Sequence, residues 1–198
     1  MTGDGELTDS RRRTLLARHG EALDLFADRV HTIRPRQWHD PTPCTDWTVR
    51  DLVNHLVVEQ LWVPPLLDGA SIADVGDAYD GDRLGDHPTA AWDRAAAAAR
   101  EAFTAPGALH RTVELSYGRT AAHAYCAQMT ADLVVHAWDL SRAIGADEHP
   151  SKALADFTRR EFGPYAGSGV PGIFDAAVDP PPGADSWQRL LAQLGRRV

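Results

Sequence analysis

An all-α fold, a bundle of four long helices with a short extended segment before the fourth and two short helices after it, is what the amino-acid sequence predicts. Long stretches place apolar residues at three- and four-residue steps, Pro and Gly punctuate the chain between them, and only one short run favours a strand. The first helix spans Thr8 to Ile33, where Leu15, Leu16, Leu23, Phe26, Val30 and Ile33 share a face and Pro35 follows as a stop. A Pro-rich corner, Pro41 to Trp47, leads to Thr48, which with Asp51 three positions on forms an acidic variant of the capping box. The second helix is therefore expected over Val49–Leu67.

Residues 68–86 contain six Asp and four Gly, a composition that favours turns and solvated backbone, and they form the longest expected loop. Its Asp80-Gly81-Asp82 lacks the full order of a calcium-binding loop and reads as a solvated face. Pro88 suits the first turn of a third helix running to Phe103, which Pro106-Gly107 ends. Arg111 to Tyr117 is short and β-prone, with Gly118 as a turn signal. A fourth helix runs from Thr120 to Ile144 with Gly145 as its C-terminal cap, and weaker helices are expected at Lys152–Phe162 and Ser186–Leu194. The length of 198 residues fits one domain, 1–198, with its core at 8–145 and a C-terminal extension at 146–198.

Composition excludes several classes of function. A formal net charge of -8, with no basic cluster longer than Arg11-Arg12-Arg13, argues against a nucleic-acid partner. No apolar run of about 18 residues exists, and the charged stretch from Met1 to Arg13 does not resemble a signal peptide. Two cysteines, Cys44 and Cys126, are too few for a disulfide framework, so a soluble cytoplasmic protein in a reducing compartment is expected.

The chemistry-bearing residues gather on the second and fourth helices. Asp132 and His136 are four apart and, at ~100° per residue, project from adjacent turns of one face. His55 has Leu52, Leu56 and Val63 as helical neighbours, which turns its imidazole toward the bundle interior. Two imidazoles and a carboxylate from facing helices suit a divalent metal with an open coordination position. The competing reading is a simple polar pair between Asp132 and His136 with His55 as a core histidine.

Asp139 lies near the same face and suits orienting a ligand or bonding another helix. Glu59, one turn after His55, is a candidate general base or a solvated charge, and Gln128, one turn before Asp132, has the same standing. His19, in the apolar stripe of the first helix, is a reserve candidate beside its reading as a core histidine. His123 falls on the opposite face from Asp132. Cys44 sits before the second helix, where the helix N-terminus favours thiolate, although packing within the Pro-rich corner is the simpler role.

Two long segments then carry a family resemblance. Pro41-Thr42-Pro43-Cys44-Thr45-Asp46-Trp47-Thr48-Val49-Arg50-Asp51-Leu52-Val53-Asn54-His55-Leu56 and Thr130-Ala131-Asp132-Leu133-Val134-Val135-His136-Ala137-Trp138-Asp139-Leu140 resemble the signatures of the mycothiol-dependent maleylpyruvate isomerase N-terminal domains, within the DinB-like superfamily. The tail from Trp187 to Arg197 is similar to that of a short actinobacterial branch of the group. The resemblance implies a DinB-like four-helix bundle and metal ligands at His55, Asp132 and His136. The family carries glutamate where this chain has Asp132, and the isomerase continues into a further domain where this chain ends after two short helices.

The metal implied is Zn2+, with Ni2+ as a known purification artefact, and mycothiol is the implied cosubstrate. The expected function is a metal-dependent enzyme, thiol transferase or isomerase-like, that activates a thiol or water toward a small electrophilic substrate. The alternatives are a noncatalytic metal-binding or ligand-sensing module, or ligands that hold no metal in the cell. No nucleic-acid or membrane partner is expected, and monomer and homodimer both remain open.

Overall fold

The computed structural model describes residues 7–165 and 176–198. Part of the charged N-terminal stretch and of the Gly/Pro-rich connector before the last helix therefore lies outside the described residues. The helices are α1 (Asp9–Thr32), α2 (Val49–Leu67), α3 (Ile72–Val75), α4 (Pro88–Thr104), α5 (Ala122–Ile144), α6 (Lys152–Phe162) and α7 (Ser186–Gln193). Strands β1 (Thr112–Leu115) and β2 (Gly118–Ala121) form an antiparallel hairpin in which Thr112 pairs with Ala121 and Leu115 with Gly118.

The long helices α1, α2, α4 and α5 make the all-α bundle expected from periodicity. Phe26 of α1 meets Trp92 of α4 with ring centroids 4.6 Å apart, and both side chains are fully buried. Around them pack Leu52 and Leu56 of α2 and Leu133 and Leu140 of α5. A second apolar cluster, including Val63, Phe103, Val113 and Tyr125, fills the end of the bundle nearer the hairpin. Trp187, Leu190, Leu191 and Leu194 join the main core, so the C-terminal segment is packed onto the bundle. No helix among the described residues is long and apolar enough to cross a membrane.

Caps set the helix starts. Thr8 Oγ1 accepts the Arg11 N–H at α1, and Thr48 with Asp51 forms a reciprocal capping box at α2. Gly145 ends α5 with φ 72°, a left-handed conformation that favours glycine.

Two local expectations need correction. The segment 112–121 forms both strands of a hairpin, so Thr120 belongs to β2 and α5 begins at Ala122. The strand pairing supplies backbone partners that one extended segment would lack. The Asp/Gly-rich loop contains the one-turn helix α3 and is tied to α2: Asn54 Nδ2 donates to Gly81 O at 3.0 Å, and the Arg83 N–H donates to Asn54 Oδ1 at 2.7 Å. Its Leu84 is buried in the main core. Asp82 is exposed, in keeping with a solvated face, and pairs with Arg50 at 2.6 Å.

The corner between α1 and α2 is held as firmly as a regular element. Gln37 Nε2 donates to Ile144 O at 3.0 Å, linking the corner to the end of α5. Thr42 donates twice to Trp47 O, through its N–H and its hydroxyl. Asp46 takes φ 65°, the left-handed region that Asp tolerates better than most side chains. This turn brings Cys44 and Trp47 against α5.

Candidate metal centre

The structure brings His55, Asp132 and His136 together, with one nitrogen or oxygen of each within 4.8 Å of the others. His136 Nε2 lies 3.5 Å from Asp132 Oδ1, and His55 Nε2 lies 3.9 Å from Asp132 Oδ2. The two imidazoles meet edge to face with centroids 5.3 Å apart. Trp47 flanks both rings, its centroid 4.9 Å from His55 and 6.1 Å from His136. Between Met129 and Ser141, Asp132 is the one residue of α5 that is not buried. Over that stretch the helix is enclosed except at this carboxylate.

Behind His136 stands Asp139, fully buried, with Oδ2 2.9 Å from His136 Nδ1. A carboxylate only accepts, so Nδ1 carries a proton, and in the neutral ring the lone pair of Nε2 would face the triad. Arg196 Nη2 donates to Asp139 Oδ2 at 3.0 Å and its Nε donates to Oδ1 at 3.3 Å. The Cys44 thiol donates to the same Oδ2 at 3.3 Å.

Cys44, His136 and Asp139 thus form a second group of close potential ligands. The two groups share His136 but differ in chemistry. Both oxygens of Asp139 are already engaged by the Arg196 cation, whereas the ion pairs of Asp132 among the described residues are with the two histidines. His55, Asp132 and His136 fit a divalent ion better: nitrogen and oxygen donors, partial exposure, and a ring held from behind by a carboxylate.

Charge and burial shift both histidines, Asp139 and Glu59. Burial, reinforced by the His136 charge, pushes the His55 pKa down to about 4 against the pull of Asp132. For His136 burial also opposes protonation, but Asp132, the Asp139 hydrogen bond and Cys44 outweigh it and raise its pKa to about 10. Asp139 is held down at about 2 because, against the effect of burial, the His136 hydrogen bond and the Arg196 charge favour the carboxylate. Half-buried Glu59 is raised to about 7 by burial and then by the charge of Asp132.

Glu59 therefore lies within electrostatic reach of the triad, one helical turn beyond His55. Gln128, also half-buried, instead accepts a hydrogen bond from the hydroxyl of Tyr117 in the hairpin turn. His19 is elsewhere: it is fully buried, packs edge-on against Phe103 and has Nδ1 3.3 Å from Arg100 Nη1. Two neighbours escaped the reading of the sequence, Trp47 as a wall of the site and Arg196 as the partner of Asp139. Cys44 was assigned to packing, yet it contacts Asp139. The N-terminal half of the first signature segment held the clue for Trp47 and Cys44; nothing in local spacing pointed to Arg196.

Fold and site define a helical-bundle protein with a partly exposed, two-helix cluster of histidine and carboxylate. The chain belongs to the mycothiol maleylpyruvate isomerase N-terminal domain family, whose model matches residues 19–141. That stretch includes the triad, Cys44, Glu59 and Asp139. Two Mycobacterium tuberculosis proteins, from strains H37Rv and CDC 1551, are each 34% identical over 192 residues, covering 92% of this chain and 98% of the relative. Both bear the description "uncharacterized protein". The crystal structure of the mycothiol-dependent maleylpyruvate isomerase superimposes with a TM-score of 0.59 at 12% identity, covering 74% of this chain and 67% of that one. A mutant of that isomerase gives a TM-score of 0.62 at 12% identity, covering 81% and 73%. At this identity the likeness is one of fold.

Proposed function

We propose that His55, Asp132 and His136 hold one divalent ion, Zn2+, in a cytoplasmic enzyme that directs mycothiol, or failing that water, against a small electrophilic substrate. The observation that carries this reading is the convergence of three donors from α2 and α5, with His136 Nδ1 bonded to Asp139. When bound, such an ion supplies Lewis acidity that lowers the pKa of a coordinated thiol or water. Family membership supports mycothiol as the thiol.

The chain's own groups then have distinct tasks. His55 is already disposed to be neutral, as a ligand must be, whereas His136 has to surrender a proton when it ligates. Asp139 keeps the remaining His136 proton on Nδ1 and so aims Nε2 at the triad. Trp47 covers one side of both rings and limits access by water. Glu59, half-buried one helical turn beyond His55, is the carboxylate suited to accept a proton from the incoming thiol or return one to the product.

The test is metal analysis of untagged protein purified without a chelating column, followed by calorimetry with mycothiol. Metallated wild type should bind the thiol, and an Asp132→Ala, His136→Ala double variant of intact helical content should not. Electrophilic acceptors are then screened with and without mycothiol. Stoichiometric metal without thiol binding would leave activated water or a noncatalytic module as the function.

A further inference from the structure

We propose that Arg196 is a positioning residue of this centre, gripping Asp139 so that Asp139 in turn fixes the ring of His136. The inference rests on the metal-site reading above. Asp139 is completely buried and Arg196 nearly so, with 11% of its side chain exposed. The planar guanidinium holds both carboxylate oxygens, through Nη2 at 3.0 Å and Nε at 3.3 Å.

This grip determines where the acceptor for His136 lies. A carboxylate rotates readily about its terminal torsion, and Cys44 Sγ offers a competing donor at 3.3 Å. With both oxygens held by the fork, Oδ2 stays 2.9 Å from His136 Nδ1. The continuous chain Arg196–Asp139–His136 therefore leads from the C-terminal segment to the nitrogen that faces Asp132.

The segment is anchored independently of this side-chain fork. The backbone N–H of Arg196 donates to Leu191 O at 2.9 Å, and Leu191 and Leu194 are fully buried. Arg196 lies outside residues 19–141, so the C-terminal segment contributes a residue that the matched family region does not contain. Removing the guanidinium should disturb the site while leaving the tail docked.

The experiment measures Zn2+ affinity by competition with a chromophoric chelator and records visible spectra of the Co2+-substituted proteins. Wild type is compared with Arg196→Met, which keeps an unbranched side chain, and with Arg196→Lys, which keeps charge without the fork. The Met variant should bind Zn2+ about 10- to 100-fold more weakly, the usual effect of losing a partner behind a ligand, with altered Co2+ bands and unchanged helical circular dichroism. The Lys variant should fall between them. Wild-type affinity and spectrum in the Met variant would overturn the positioning role and leave the triad standing. If the Met variant loses helix, unchanged affinity and spectrum in the Lys variant would overturn it equally. Failure of wild type itself to bind Zn2+ would overturn the metal-site reading and this inference together.

Discussion

Replacing Asp139 by Asn probes the buried ion pair behind the site without changing side-chain shape. The carboxylate accepts from Arg196 through both oxygens, and from His136 and Cys44 at Oδ2. An amide with its oxygen at Oδ2 turns its NH2 group toward Arg196 Nε, replacing one hydrogen bond by two opposed donors and removing the negative charge. The native environment lowers the Asp139 pKa from 3.8 to about 2, corresponding to about 2–3 kcal/mol of stability at neutral pH. The loss approaches the lower end of the roughly 3–5 kcal/mol typical for breaking a buried pair.

For a domain of this size such a loss lowers the melting temperature by about 4–12 °C. The assay is urea unfolding and calorimetry of metal-free wild type and Asp139→Asn, so that ion binding adds nothing to either. Because the folded pKa is depressed, the contribution is present above the unfolded value and fades as pH falls through 3.8 toward 2. The gap between the proteins should therefore narrow from pH 7 to pH 3. A gap below about 1 kcal/mol at pH 7, or one that is unchanged at pH 3, would refute this account of the pair.

His55→Ala and His136→Ala should each lose most bound metal by elemental analysis; stoichiometric metal in both would mean other ligands. Chelation should lower the melting temperature yet leave helical circular dichroism largely intact, because the bundle buries its core independently of the ion; unfolding at room temperature would assign the ion a structural role. In metal-free protein the raised Glu59 pKa gives stabilisation that is present below its ordinary value near 4.5 and lost as pH rises through about 7. Glu59→Gln should thus gain stability relative to wild type between pH 5 and pH 8, measured by urea unfolding, and parallel curves would remove Glu59 from the electrostatics of the site.

Local signals wrote the long helices plainly into the sequence. Thr48 and Asp51 fixed the start of α2, Pro88 that of α4, and Gly145 the end of α5, because each acts through backbone atoms within a few residues. The hairpin was half legible: Thr112 to Leu115 has strand character, but Gly118 to Ala121 becomes a strand by pairing with it. Asn54 shows how a loop rich in Asp and Gly can be secured by one amide on a neighbouring helix. Spacing on α5 made Asp132 and His136 neighbours, while the approach of His55 depends on how α2 packs. Arg196 was illegible because it meets Asp139 across 57 residues of chain and carries no local pattern.

The nearly complete enclosure of α5 also orders the motions of the molecule. Its central amides should exchange with solvent hydrogen only in the largest openings of the fold, whereas the hairpin with its exposed Tyr117 can open at lower cost. Asp132 and His136 consequently ride on one of the slowest-opening parts of the protein, while the uncovered side of Asp132 offers a route that does not require that helix to unfold. An ion held there as proposed would come and go on a much shorter timescale than the scaffold that receives it, and its loss and return would not require refolding.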